Sequence, residues 1–227
     1  MNTLLIEVCV TLEALNMGFK GELTMTDAME KLQNSLYLDT IPANWMKLGW
    51  PSMRSLSGWI ANASERITQL SDWVSMPSDI PAVTWLGGLF NPQSFLTAIM
   101  QVSAQAANLE LDRLNIVYEV SKKMDPNDVT APSRDGAFIH GLSLEGARWN
   151  LSNVVLEPSM PREMFCQLPV VNCKAAIVDR LDQNVYMCPV YKTKQRDPTY
   201  VFSAQLRSKS PPAKWALAGV AILLDIN

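Results

Sequence analysis

The chain has 227 residues, 48% of them hydrophobic and 18% charged, so it can bury a core and is not a mainly disordered polypeptide. Its net charge of −3 disfavours a nucleic-acid partner. The four cysteines lack the spacing of zinc sites. The longest apolar run, Trp215–Leu224, is half the ~20 residues of a membrane span, so we expect no membrane partner.

The first half of the sequence is predicted to be helical. Apolar residues recur at helical spacing from the outset: Leu4, Leu5, Val8, Leu12 and Leu15. Because this pattern is already running at residue 1, we expect the chain to be part of a longer polypeptide. Thr24 and Asp27 have the spacing of a capping box and predict the start of a second helix. A loop carrying Trp45 and Trp50 is expected next, bracketed by two prolines.

Two further helices are predicted before residue 108. The clearer one runs from about Ser52 to Val74, where apolar residues form one stripe and charged residues lie away from it. A turn-like segment, Trp85 to Phe90, separates the two helices. Asn91 followed by Pro92 is a specific helix start, because the missing N–H of a first-turn proline would have had no helical partner anyway.

The second half of the sequence changes to strand-like patterns. Leu111–Val120 mixes β-branched residues with alternation, and a turn-rich connection follows. Further short runs are Phe138–Leu144, Asn153–Leu156, Val170–Val178, Val185–Tyr191, Tyr200–Leu206 and Lys214–Leu224. The prediction is an α+β fold with a helical subdomain over 1–108 and an antiparallel β-barrel-like subdomain over 109–227.

No catalytic, cofactor or metal site is predicted. The single histidine, His140, has no evident Ser or Cys nucleophile to activate and is expected to be structural. The Gly87-Gly88 pair is followed by Leu89 and lacks the lysine of a phosphate-binding loop. We therefore expect no ATP binding by this polypeptide.

Seven tryptophans are the compositional excess. Those predicted to lie in loops, Trp45, Trp50 and Trp85, allow two interpretations: they anchor loops on the protein's own core, or they are buried against a partner.

Five segments also carry a resemblance to a known family. In order they are Gly21-Glu-Leu-Thr-Met-Thr-Asp-Ala-Met29, Trp85-Leu-Gly-Gly-Leu-Phe-Asn-Pro-Gln-Ser-Phe-Leu-Thr-Ala-Ile99, Glu145-Gly-Ala-Arg-Trp149, Cys188-Pro-Val-Tyr-Lys-Thr193 and Pro211-Pro-Ala-Lys-Trp215. They resemble the C-terminal region of dynein heavy chains, in particular the axonemal, outer-arm type. The resemblance extends over essentially the whole sequence, and the end soon after Leu224 is similar to the C-terminus of that family.

The resemblance implies a non-catalytic regulatory and structural module of a motor protein. Such a module consists of helices followed by a β-barrel and packs on the AAA+ ring of the same heavy chain. ATP and magnesium would bind elsewhere in the parent chain. The parent complex would include intermediate and light chains and would move on microtubules. Its location would be the cytoplasm and cytoskeleton, in the axoneme of a cilium or flagellum. Candidate ring-contact residues are Trp45, Trp50, Trp85 and Phe90.

Two alternatives stay open at this point. One is a free-standing enzyme or small-molecule binder with a pocket near His140 and Arg148 in the β-rich half. The other is an adaptor that binds peptides at a sheet edge or groove. A concave site with convergent polar groups would favour the first, and an exposed groove the second.

Overall fold

A computed structural model of the protein describes residues 1–77, 81–108, 110–177 and 184–226. Its internal contacts form two compact units, Met1–Asp72 and Trp73–Ile226. Helices make up the regular structure of the first unit, and strands predominate in the second. The α+β class is therefore confirmed.

Four helices begin in the first unit: α1 (Asn2–Phe19), α2 (Asp27–Tyr37), α3 (Ala43–Leu48) and α4 (Leu56–Ser75). Helix α2 starts as predicted, but Thr26 caps it in place of Thr24. The Oγ1 of Thr26 accepts a hydrogen bond from the backbone N–H of Met29 at 3.4 Å. Helix α4 begins later than the predicted Ser52.

Helix α3 replaces part of the loop that was expected around Trp45. It has only six residues and follows Pro42, whose extended ψ of 137° turns the backbone into the helix. A helix this short presents less than two turns, so its apolar period cannot be recognised in the sequence. Its one buried residue is Trp45.

The second unit contains two complete α-helices and eleven strands among its described residues. They are β1 (Val83–Trp85), α5 (Pro92–Ala107), β2 (Leu114–Val120), β3 (Gly136–His140), β4 (Ser143–Glu145), β5 (Ala147–Asn150), β6 (Val155–Pro158), β7 (Phe165–Gln167), β8 (Val171–Ile177), β9 (Val185–Tyr191), β10 (Tyr200–Arg207), α6 (Pro212–Leu217) and β11 (Ala221–Leu223). The predicted start of α5 is confirmed, since Oδ1 of Asn91 accepts from the N–H of Ser94 at 3.3 Å and Pro92 is the first helical residue. Val178, the predicted end of β8, lies outside the described residues.

The strands form open sheets, so the predicted antiparallel barrel is wrong. The sheets have the orders β1-β3-β8-β2, β10-β9-β11-β4-β7 and β5-β6. Within the part of the protein that the structure describes, none of them closes on itself. Two pairs, β1 with β3 and β11 with β9, are parallel. Parallel pairs join segments that are distant in sequence, so short strands and turn spacing do not reveal them.

The predicted final strand, Lys214–Leu224, is a helix followed by a short strand. Pro212 occupies the first turn of α6, and Gly219, with φ of 66°, allows the backbone to turn before β11. Trp215 of α6 is buried, and its Nε1 donates to Oγ of Ser208 at 2.7 Å. Within the apolar run, Trp215 and Val220–Leu224 are buried, whereas Ala216, Leu217 and Ala218 are exposed.

One hydrophobic cluster joins the four-stranded and five-stranded sheets with α5. Its members include Leu96 and Ile99 of α5, Tyr118 of β2 and Phe202 of β10, and the rings of the last two stack with centroids 5.0 Å apart. The helix α5 therefore belongs to the compact unit of the strands. The predicted subdomain boundary lies between residues 108 and 109, where the sequence pattern changes from helical to strand-like. That the parts on either side of it are separate subdomains stays a prediction.

Candidate interaction site

The outer surface of α1 carries many apolar side chains although it faces solvent. Its large exposed side chains include Ile6 at 64%, Val10 at 55% and Phe19 at 60% of full exposure. The opposite side is anchored by Leu4 and Leu15, which are buried. Ile6, Val10 and Met17 recur at spacings of four and seven, so they form one stripe along the helix, which the exposed Glu13 interrupts between Val10 and Met17. We call these three residues the α1 stripe.

Charge is nearly absent from α1. Only Glu7 and Glu13 are charged among its 18 residues, and no basic residue lies in its last turn. A helix on the surface of a globular protein ordinarily has a polar side, whereas one that is apolar all round is ordinarily buried. Contiguous exposed apolar surface marks an interaction site. The α1 stripe is therefore the strongest candidate contact surface of the first unit.

Three tryptophans behind α1 form a stack within the first unit. The rings of Trp50 and Trp59 have centroids 4.9 Å apart, and those of Trp45 and Trp59 are 6.4 Å apart. The Arg66 guanidinium carbon lies 4.1 Å from the centre of the Trp50 ring, a cation–π contact. Trp45 Nε1 donates to Oγ1 of Thr11 at 3.1 Å and so fastens the stack to α1.

Burial decides what Trp45 and Trp50 can contact. Their side chains are only 2% and 4% exposed within the protein itself. Little of their own area is therefore accessible to a ring partner. They can affect such a partner mainly by supporting the neighbouring surface of the first unit. Their ring-contact role stays a prediction; within the first unit, Trp45 anchors α3 and Trp50 anchors the segment after α3.

The other two candidates, Trp85 and Phe90, belong to the second unit and are half-buried. The Trp85 indole packs on the backbone of Gly141, where a Cβ would lie 2.7 Å from its Nε1. The backbone carbonyl of Phe90 accepts from Nζ of Lys192 at 3.1 Å. Both residues keep some open surface, and their ring contact stays a prediction.

The groups that a catalytic site would need are dispersed. His140 ends β3, and burial lowers its pKa, which favours the neutral imidazole at physiological pH. Arg148 lies on β5, in a different sheet. Burial raises the pKa of the Cys173 and Cys188 thiols, which keeps them protonated and unreactive. Among the residues that the structure describes, no group of three His, Cys, Asp or Glu side chains could hold a metal ion.

Within the described ranges, no helix is both long enough and apolar enough to span a bilayer.

The α1 stripe was not identified from the sequence, because only the apolar face of α1 that is buried was considered. The residues named first, such as Leu4 and Leu15, define the buried side. The signal for the other side was the scarcity of charge between residues 2 and 19, where Ile6, Val10 and Met17 occupy positions that a surface helix gives to polar residues.

Comparison with known proteins places this arrangement in a family. The sequence model for the C-terminal domain of dynein heavy chains matches residues 1–224. The chain is 48% identical over its full length to a dynein beta chain of the flagellar outer arm from Chlamydomonas reinhardtii, and 47% identical to a ciliary dynein beta chain from Heliocidaris crassispina. It is 44% identical to human dynein axonemal heavy chain 17. It spans 5% of the length of each of these relatives. The protein belongs to the family of C-terminal domains of dynein heavy chains.

Proposed function

We propose that this protein is a module without catalytic activity of its own in an axonemal dynein heavy chain, and that it packs through α1 on the AAA+ ring of the same heavy chain. ATP and magnesium bind to other parts of the parent chain. The parent motor, with its intermediate and light chains, moves on microtubules in the axoneme of a cilium or flagellum. The names of the relatives, which include flagellar outer arm, ciliary and axonemal dyneins, support this assignment.

The observation that carries the proposal is the exposure of the α1 stripe on a helix with two charges in 18 residues. Burying apolar surface contributes about 25 cal/mol per Å² of area removed from water. An exposed stripe of this kind gains free energy when another surface covers it. The AAA+ ring is part of the same heavy chain, so it can cover α1 without a separate association step.

The regulatory effect follows from unequal contact with different states of the ring. A module shifts a conformational equilibrium only as far as its contact free energy differs between the states. A difference of about 1–3 kcal/mol changes the populations roughly 5-fold to 150-fold. We therefore propose that α1, with Trp85 and Phe90 as further contacts, tunes the ATPase cycle of the motor.

A double substitution on α1 tests this proposal in the intact motor. Ile6→Glu with Val10→Lys places a Glu–Lys pair at i and i+4, which stabilises an isolated helix by about 0.2–0.5 kcal/mol. Both positions are exposed within the protein, so its own fold should be kept. At a dry interface the pair would bury two charges. We expect the microtubule-stimulated ATPase rate to change at least about threefold.

The matched control is Asn34→Lys, which creates a similar pair with Glu30 on the exposed surface of α2. Its ATPase rate should equal that of the unmodified motor. Hydrogen exchange of α1 should rise in the double variant and stay unchanged in the control. Unaltered ATPase and unaltered exchange in the double variant would contradict the proposed packing.

A further inference from the structure

A groove of about 390 Å³ lies on the outer side of the four-stranded sheet. The floor includes Phe138 of β3 and Asn172 and Lys174 of β8, and the connection between β2 and β3 forms the wall. Successive strand residues face opposite sides, and Cys173 is fully buried in the core. Asn172 and Lys174 therefore face away from that core, into the groove.

Hydrogen bonds anchor the beginning of the connection that forms the groove wall, up to Asp128. The N–H of Ser121 donates to the carbonyl of Val170, and the N–H of Val170 donates to the carbonyl of Lys123, both at 2.9 Å. Nζ of Lys123 donates to the carbonyl of Asp128 at 2.9 Å. The part of the wall next to β8 is thus fixed before a ligand binds, which limits part of the ordering that a ligand must impose.

Asn172 supplies an unused polar group at the floor of the groove. The residue is 9% exposed, and its Oδ1 is buried with no hydrogen-bond partner among the residues described. Rotation of the side-chain amide exchanges its oxygen and its NH₂ group, so it can accept from or donate to a ligand. An amide is the natural complement of a peptide main chain, which offers one donor and one acceptor per residue.

The charge of the groove is opposite to that of the whole protein. Lys123, Arg134 and Lys174 contribute three cations against two carboxylates, Asp135 in the lining and Glu119 paired with Lys174, whereas the full sequence has a net charge of −3. Lys174 is paired with Glu119 at 2.7 Å, an exposed pair that a ligand carboxylate could replace. No partner for the Arg134 guanidinium is found within the described part of the protein.

We propose that this groove binds an acidic peptide segment in an extended conformation. The main chain of the peptide hydrogen-bonds to the Asn172 amide, and its carboxylates lie at Lys174, Arg134 and Lys123. Asn172 and Lys174 are two residues apart on one strand, about 7 Å, which is also the spacing of alternate residues in an extended peptide. A nucleic acid fits less well, since the groove has one half-buried aromatic residue, Phe138, and the protein is acidic overall.

The test uses the intact heavy chain and a blocked peptide with Glu at alternate positions and a photoreactive group at one end. Cross-links mapped by mass spectrometry should fall on residues 123–135 and 172–174. A peptide with Gln in place of every Glu should bind at least tenfold more weakly. Raising the salt concentration should weaken binding of the Glu peptide, because its contacts are partly exposed charge pairs.

Two variants and a control separate this site from general charge attraction. Arg134→Glu reverses an exposed charge, and Asn172→Leu removes the amide at nearly constant shape; each should weaken peptide binding at least tenfold. Arg207→Glu makes the same charge change on an exposed residue outside the groove and should leave binding unchanged. Two results would overturn the proposal: no cross-links in the groove, or equal binding of the Glu peptide by the Arg134→Glu and Arg207→Glu variants. The groove would then hold only solvent.

Discussion

Gly136→Ala should destabilise the second unit by about 3 kcal/mol, at the upper end of the range for overpacking substitutions. A Cβ on Gly136 would overlap the carbonyl oxygen of Cys173 and lie 3.1 Å from the Cα of Lys174. Both contacts are with the backbone of β8, the partner strand of β3, so no side chain can rotate away. The measurement is the free energy of unfolding in urea, followed by hydrogen exchange in peptides of β3 and β8.

The control for this substitution is Gly58→Ala, the same chemical change inside α4. Here the Cβ would meet its nearest neighbour, Cβ of Arg54, at 3.6 Å, an ordinary contact distance. Alanine is the better helix former, and Gly58 lies in the first turn of α4, so this variant should be at least as stable as the unmodified protein. Similar effects of the two variants would show that β3 can move away from β8 at little free-energy cost.

Trp50→Ala should destabilise the first unit by about 3–5 kcal/mol, the range for removing a large buried aromatic side chain. The substitution deletes the stack on Trp59 and the cation–π contact with Arg66, and Arg66 is itself only 4% exposed. Unfolding of the protein in urea, with hydrogen exchange of α4 as the local readout, measures the loss.

Trp50→Phe provides the comparison, because it keeps an aromatic ring beside Trp59 and Arg66 and should lose less than half as much stability. The pair also separates two roles of Trp50. A loss below about 1 kcal/mol in Trp50→Ala, together with weaker packing on the ring in the intact motor, would make Trp50 a direct contact and contradict its structural role.

The elements that local chemistry specifies were predictable from sequence. Helix α5 starts where Asn91 and Pro92 require, because capping and a fixed proline φ act within one turn. The change from helices to strands was also visible, since the periods of 3.6 and 2 differ clearly. The sequence does not identify the capping residue of α2, because Thr24 and Thr26 both have side chains that can cap a helix. In the structure, Thr26 is the cap.

Features that depend on distant pairing were not predictable. The strand β1 precedes α5 in the sequence but pairs with β3, more than 50 residues later. Closure of a sheet depends on which strands become edges, and turn spacing carries no information about that. The pattern of the apolar segment after Lys214 is compatible with a helix or a strand. In the structure its first part is helical and places Trp215 in the core.

The candidate site shows the same limit. Tryptophans at loop-like positions drew attention to Trp45 and Trp50, yet burial of aromatic residues within the protein and against a partner gives the same sequence pattern. The α1 stripe is instead defined by exposure, which a sequence does not report. The groove at Asn172 combines residues from two strands and one connection and has no local signal.

Alkylation of Cys9 tests most directly whether α1 is covered in the intact motor. Cys9 is an exposed thiol on α1, while Cys173 and Cys188 are buried and report whether the fold is intact. With α1 packed on the ring, Cys9 should react at least tenfold more slowly in the intact heavy chain than in the separate 227-residue polypeptide, with Cys173 and Cys188 unlabelled in both. Equal rates of Cys9 labelling in the two samples would mean that α1 stays open to solvent and would contradict its packing on the ring.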